Sequence, residues 1–230
     1  MIIAEIGHNH NGDMTLAKEL IHRAKECGAD IAKFQLYDTP KIVKPDHQWY
    51  WDLERSQLTK EQWLAIVDEC NKVGIEFLAS AFDTERVGWC QEVNMRRYKI
   101  ASRSIYDEEL LEAVVRTNKD IIISLGKVDP ARGIPKCNGV QIDYLYCIAK
   151  YPASLSDLCF DKLDFGRYAG FSDHTIGIEA SMVAIARGAR IIEKHFTLDK
   201  KRGGCDHAGS AEPNELKQLV DFARKYEEMR

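Results

Sequence analysis

Two histidines and several serines stand at or just past the ends of apolar runs, and two lysines stand within such runs. His174 follows the run Tyr168–Phe171 and His195 follows Ala189–Ile192, 21 residues apart, with one helical stretch (Ile178 to Ala186) between them. That is the length of one crossover between adjacent parallel strands. Neighbouring strands lie about 4.8 Å apart, so matching strand ends can grip one metal ion. Two imidazoles leave most of a coordination sphere open to water and substrate, which favours Mn²⁺ or a similar octahedral ion over structural Zn²⁺. A histidine standing alone would read as a hydrogen-bonded core group. The pairing at strand ends favours ligands. Lys33 and Lys99 sit within apolar runs, where surface salt bridging is the weaker explanation. With hydroxyl donors from Ser80, Ser102, Ser124 and Ser172, they suit a strongly anionic ligand, such as one carrying a phosphate and a carboxylate.

These residues need a scaffold that brings strand ends to one mouth. Strand-like runs fall at Ile2–Ile6, Ile31–Phe34, Glu76–Ala79, Arg97–Ala101, Ile121–Ser124, Ile142–Cys147, Tyr168–Phe171 and Arg190–Lys194. Most are continuous apolar runs, as expected for strands covered on both faces. Helical patterns alternate with them. Leu16, Leu20, Ile21 and Ala24 share one helical face, and Trp63, Ile66, Val67 and Cys70 another. Asp13 and Thr59 are N-terminal caps, Thr59 with Gln62 at capping-box spacing, and Gly28 and Gly74 are stops. The pattern predicts a compact (β/α)8 TIM barrel occupying residues 1–230 as one domain, with a doubly wound open sheet as the runner-up. Leu36 to Leu58 reads as a long loop carrying Trp49, Tyr50 and Trp51. The helix after the fifth strand is expected to be cut short, because Pro130, Gly133, Pro135 and Gly139 interrupt it.

In such a barrel the strand ends supply, in order, Glu5, Lys33 with Gln35, Ser80, Lys99 with Ser102, Ser124, Tyr151, His174 and His195. Any one alone reads as a solvated loop residue; their convergence carries the argument. His8 and His10 could be ligands, although their Asn/Gly/Asp context reads equally well as a tight turn. Asp206, in Cys205-Asp206-His207, could be catalytic, although a carboxylate there alone is more often a loop residue.

Composition narrows the class. The 230 residues include 30% charged and 45% hydrophobic types, ordinary for a globular protein. A net charge of −4 with scattered charges argues against a nucleic-acid surface. There is no apolar run of transmembrane length and no signal-peptide pattern after Met1, so no membrane partner is expected. The seven cysteines contain no CxxC pair and read as reduced thiols, so the expectation is a cytoplasmic protein.

Taken together, Ala4-Glu-Ile-Gly-His-Asn-His-Asn-Gly12, Lys33-Phe-Gln35, Tyr98-Lys-Ile-Ala-Ser102, Tyr151-Pro152, Phe171-Ser-Asp-His-Thr175, Ile192-Glu-Lys-His-Phe-Thr197 and Asp206-His207 resemble the sialic acid synthase family, the N-acetylneuraminate synthases with their legionaminate and pseudaminate relatives. The resemblance implies a condensation of phosphoenolpyruvate with the open-chain aldehyde of an N-acetylated amino sugar, giving a nonulosonic acid and phosphate. Carried over by position, Lys33, Ser80, Lys99, Ser102, Ser124 and Ser172 would bind phosphoenolpyruvate. His174 and His195 would hold Mn²⁺, with Mg²⁺ or Co²⁺ as substitutes. Gln35, Tyr151 and Asp206 would contact the sugar, and Glu5, His195 and Asp206 would form the catalytic group.

The chain also departs from the family pattern. Ser80 stands where the family commonly has Thr, Ser102-Arg-Ser104 replaces Ser-Gly-Glu, and Ala149 replaces Asn or Ser before the Tyr-Pro motif. The family's C-terminal antifreeze-like domain, which brings an arginine across a dimer, has no counterpart in the sequence up to Arg230. The expectation is therefore a barrel without that domain, forming a homodimer by family habit and through the aromatic Trp49–Trp51 segment. Alternatives are a synthase for a different aldose or sugar phosphate, for which Arg103 could receive the phosphate, or a non-catalytic ligand-binding barrel.

Overall fold

Apolar runs long enough to be covered on both faces become eight parallel strands, and these close on themselves. The computed structural model describes residues 1–229, Lys162 by its backbone alone. The strands are β1 (Ile2–Gly7), β2 (Ile31–Leu36), β3 (Glu76–Ala81), β4 (Arg97–Ile100), β5 (Asp120–Ser124), β6 (Ile142–Cys147), β7 (Gly170–Asp173) and β8 (Ile191–His195). They pair in chain order, and β8 returns to β1 with Ile2 opposite Ile192 and Glu5 opposite His195. The fold is a (β/α)8 barrel.

Helices form the outer layer where the sequence supplies caps and an apolar face. In α1 (Met14–Glu26) the Asp13 carboxylate accepts from the Thr15 and Leu16 amides, and Leu16, Ala17, Leu20, Ile21 and Ala24 are buried. Two short helices, α2 (Thr39–Ile42) and α3 (Tyr50–Ser56), occupy the segment expected to be a plain loop. α4 (Lys60–Val73) opens on the Thr59–Gln62 capping box, buries Trp63, Ile66, Val67 and Cys70, and ends at Gly74 with φ +73°. The layer continues with α5 (Thr84–Glu92), α6 (Glu108–Val115), α7 (Glu179–Ala186) and α8 (Pro213–Glu228).

Two further expectations need correcting. The connection from β5 to β6 has no helix among the described residues, where a shortened one was expected. Its prolines remove amide donors, Gly133 and Gly139 take φ of +70° and +85°, and the loop is pinned instead by Tyr106. The Tyr106 hydroxyl accepts from the Asp129 amide at 2.7 Å and donates to the Gly133 carbonyl at 2.8 Å. The β6–β7 connection likewise holds two 3-10 turns, Leu155–Asp157 and Phe160–Lys162, instead of a helix.

The second correction concerns β7, which begins and ends two residues later than its apolar run. Ser172 and Asp173 are polar, yet both lie inside the strand because each has a buried partner on β8. Ser172 donates to Glu193 at 2.8 Å on the barrel interior. On the outside, Lys194 lies 3.4 Å from Asp173 and donates to the Thr175 carbonyl, and Ser181 of α7 donates to Asp173. Lys194 is 0% exposed, so this ion pair is part of the barrel-to-helix interface.

β7 and β8 approach closely at Gly170, where an added Cβ would stand 1.9 Å from the Ile191 carbonyl oxygen. Gly170→Ala should therefore cost about 3 kcal/mol or more in urea unfolding, as backbone overpacking does. Gly74→Ala, with open space around its Cβ, should cost only the roughly 1 kcal/mol of left-handed strain. Equal losses at the two positions would contradict the close β7–β8 contact.

Candidate active site

The upper half of the barrel interior is charged. Glu5 stands opposite Lys33 across β1 and β2 and opposite His195 across β1 and β8. Side chains two residues apart on a strand share a face, so Glu193 and His195 both point inward, as does Ser172. Lys33 Nζ lies 2.8 Å from Glu5 Oε2, 3.5 Å from Glu193 Oε2 and 3.1 Å from Ser80 Oγ. Lys99 Nζ lies 3.6 Å from Glu193 Oε1 and donates to its neighbour's carbonyl, Ile100 O, at 3.2 Å. Lys33 and Lys99 are each 2% exposed.

Burial sets the charge state of this group. It would push Glu193 up, but the Lys33 and Lys99 charges and the Ser172 hydrogen bond hold that carboxyl well below the usual range. Glu5 goes the other way: burial raises it, and Lys33 only partly offsets this. Burial would lower Lys33, but Glu193 and Glu5 keep it above its ordinary value, whereas burial lowers Lys99 despite Glu193. Glu193 was not among the residues singled out from sequence. Its signal was there in the alternation of Ile192-Glu-Lys-His195, which puts a second ionisable group on the face of His195.

The serines divide into three kinds. Ser80 and Ser172 are engaged with Lys33 and Glu193. Ser102 opens a 3-10 turn after β4, donates to Ser124 O at 3.1 Å and accepts from Gly126 N at 2.9 Å. The Ser124 hydroxyl is buried without a hydrogen-bond partner, and such a group calls for a ligand or water.

At the rim, His174 and His195 face one another with ring centroids 5.6 Å apart, and Tyr151 packs 4.1 Å from His174. His174 Nδ1 lies 2.7 Å from the Ile148 carbonyl. A carbonyl only accepts, so Nδ1 carries the proton and Nε2 keeps its lone pair. Burial depresses both imidazoles, His195 strongly so, and for His195 the His174 and Lys33 charges add to the effect. His195 Nδ1 is buried without a hydrogen bond, 3.5 Å from Asp206 Oδ2. Two neutral imidazoles, one oriented by a carbonyl behind it, fit a divalent ion. Burial, then the Glu5 charge, push the Asp206 carboxyl up to about 7.

Gly7 lets the remaining groups converge. At φ +52°, following an irregularity in the β1–β2 register, its missing Cβ would stand 3.2 Å from Glu5 Oε1, 3.3 Å from Gln35 Nε2 and 3.4 Å from Asp206 Oδ2. Gln35 donates to Glu5 at 2.8 Å. A cleft of about 470 Å³ opens above, lined by Trp49, Phe82, Ser102, Arg103, Lys127 and Tyr151 among others. Tyr151, 56% exposed, stands at its edge. Of the two uncertain histidines, His8 lines the cleft. His10 is fully buried, accepts from the Gly12 amide and packs near Phe34, which is a turn's role.

A family model described as NeuB family matches residues 20–230. The chain belongs to the NeuB family. The N,N'-diacetyllegionaminic acid synthase of Campylobacter jejuni is 34% identical over 98% of this chain and 75% of its own length. The N-acetylneuraminate-9-phosphate synthase of Homo sapiens is 34% identical over 98% of this chain and 70% of its own. A crystal structure of N-acetylneuraminic acid synthetase from Leptospira borgpetersenii, in complex with citrate, superposes with a TM-score of 0.90 at 30% identity, covering 99% of this chain and 84% of that one. This NeuB-family chain is therefore an enzyme of the sialic acid synthase type. No described helix is long and apolar enough to cross a membrane.

Glu193 bridges two buried lysines, and its removal leaves Lys99 without a carboxylate and Lys33 with Glu5 alone. Glu193→Gln should destabilise the ligand-free protein by about 3 kcal/mol in urea unfolding, the cost of breaking a buried pair. A loss under about 1 kcal/mol would mean the lysines do not depend on it.

Proposed function

We propose that this enzyme condenses phosphoenolpyruvate with the open-chain aldehyde of an amino sugar, using a divalent metal, to give a sialic-acid-like nonulosonic acid and phosphate. The observation that carries the reading is the pair of buried lysines, Lys33 and Lys99, closed on Glu193 beside two neutral histidines. Two fixed cations with surrounding hydroxyls match a small ligand carrying both a phosphate and a carboxylate. Lys33, Lys99, Ser80, Ser102, Ser124 and Ser172 would bind those groups, with the unpartnered Ser124 hydroxyl gaining an acceptor. Gln35, Tyr151 and Asp206 would orient the sugar.

A divalent ion held by His174 and His195, Mn²⁺ in our reading with Mg²⁺ or Co²⁺ as substitutes, would polarise the aldehyde oxygen. C3 of phosphoenolpyruvate forms the new bond to the aldehyde carbon, and water adds to C2. Asp206, whose carboxyl burial pushes up to about 7, would give its proton to the former aldehyde oxygen. Glu5 would take the proton from the water. The C2 hydroxyl then passes its proton to the departing phosphate as the C–O bond breaks, which leaves the ketone. The barrel walls keep bulk water from the lysines, so their charges act at full strength on the phosphate.

A second reading of the acceptor has its own support. Arg103 and Lys127 line the cleft, and neither has a carboxylate partner among the described ion pairs. Arg103 instead donates to the Ile42 carbonyl and lies over Phe82. An acceptor with a phosphate far from its aldehyde would put that phosphate there. We also read the protein as cytoplasmic and as a homodimer, the latter supported by Trp51 on α3 at 74% exposure.

Phosphate release from phosphoenolpyruvate with Mn²⁺, assayed across N-acetylated hexosamines, their phosphates and plain aldoses, tests the reaction. Release should require both metal and one aldehyde class; its absence with every aldehyde would refute the reading. His174→Ala and His195→Ala should each abolish turnover while unfolding stays cooperative. If a phosphorylated acceptor is preferred, Arg103→Ala should raise its KM roughly 10- to 100-fold, as loss of a charge-assisted pair does, and leave an unphosphorylated acceptor unaffected.

A further inference from the structure

Beside the histidine pair, one ligand atom each from His8, Cys205 and Asp206 lie within 4.8 Å of one another. All three line the cleft. Ligands about 2.0–2.3 Å from a shared Zn²⁺ stand roughly 3.3–3.8 Å apart, so small side-chain rotations would close the set around an ion.

Two further features point to a cation. The Tyr37 hydroxyl gives its single proton to the Leu53 carbonyl at 2.9 Å, so at 3.0 Å it can only accept from His8 Nδ1. Tyr37 therefore fixes His8 with the proton on Nδ1 and the lone pair on Nε2, beside Gln35, the tautomer that metal-binding histidines take when the other nitrogen donates behind them. Burial keeps this ring neutral, with its pKa lowered to about 3. Second, the buried His195 Nδ1 is unpartnered and points at Asp206 from 3.5 Å. It can steady that carboxylate once an ion holds it ionised.

We propose that His8, Cys205 and Asp206 form a second divalent-cation site, next to the His174–His195 pair, taking a thiophilic cation of the zinc class. The mixed nitrogen, sulfur and carboxylate set supports that choice, since thiolate selects soft or borderline ions over Mg²⁺ or Mn²⁺. The bound ion displaces the thiol proton of Cys205, and thiolate and carboxylate together balance its two charges. Because Asp206 faces the acceptor, occupancy of this site excludes the sugar.

Co²⁺ titration of the metal-free full chain tests this, reading the near-ultraviolet thiolate-to-cobalt absorption and the stoichiometry by equilibrium dialysis. The wild type should bind two ions and develop the sulfur band, and Zn²⁺ should erase it. Cys205→Ser should bind one ion without the band. His8→Ala should weaken the band's binding curve at least tenfold. His174→Ala should keep the band. Absence of the band in wild type would overturn the proposal, as would its loss in His174→Ala, which would make Cys205 a ligand of the ion at the histidine pair. A stoichiometry of one with the band intact would defeat the histidine-pair reading and leave this one standing.

Discussion

Lysines at 2% exposure in a barrel interior persist only with carboxylates in reach, and this constraint organises the site. A buried unpaired ammonium costs several kcal/mol, so Lys33 and Lys99 tie the positions of Glu5 and Glu193, and through them β1, β2, β4 and β8. The serines follow from the same need. Ser80 and Ser172 satisfy polar atoms that the ion contacts leave open. The interior is thus a hydrogen-bonded ionic layer above an apolar one, and chemistry and packing occupy opposite ends of the same strands.

Alternation on β7 and β8 lets one stretch of sequence serve two interfaces. Ser172, His174, Glu193 and His195 face the site. Asp173 and Lys194, the residues between them, form the fully buried pair under α7. A one-residue slip of either strand would exchange the two sets, placing Lys194 in the ligand space and Glu193 against a helix. The outer pair therefore does more than cover the barrel. It penalises every register except the one that presents both histidines inward.

Much of this was legible in the residue order. All eight strands, the caps at Asp13 and Thr59, the stop at Gly74 and the set of polar strand ends could be read from periodicity and turn chemistry. What escaped was whatever depends on a partner distant in sequence. β7 was read two residues early because Ser172 and Asp173 look like a strand's end until Glu193 and Lys194 are seen beside them. Glu193 was passed over for the same reason. Helices α2 and α3 were hidden by a proline and by aromatics that resemble a loop. The connection after β5 does without a helix among the described residues because Tyr106 satisfies backbone groups that a helix would satisfy internally.

In the proposed reaction, charge balance would link a metal to the substrate. Without ligand, two lysines and two glutamates nearly cancel, and the histidines contribute nothing because burial keeps them neutral. A ligand bearing phosphate and carboxylate brings at least two negative charges into this balanced, low-dielectric interior. The lysines can turn toward it only by loosening from Glu5 and Glu193, whose charges then need a counterpart. Neutral imidazoles cannot supply one, but a divalent cation on them can. Cation and anionic substrate should therefore each tighten the other's binding by the same factor, since coupling between two sites is reciprocal. In the proposed reaction, the depressed basicity of His174 and His195 would leave an ion, in place of a proton, to carry positive charge beside the aldehyde.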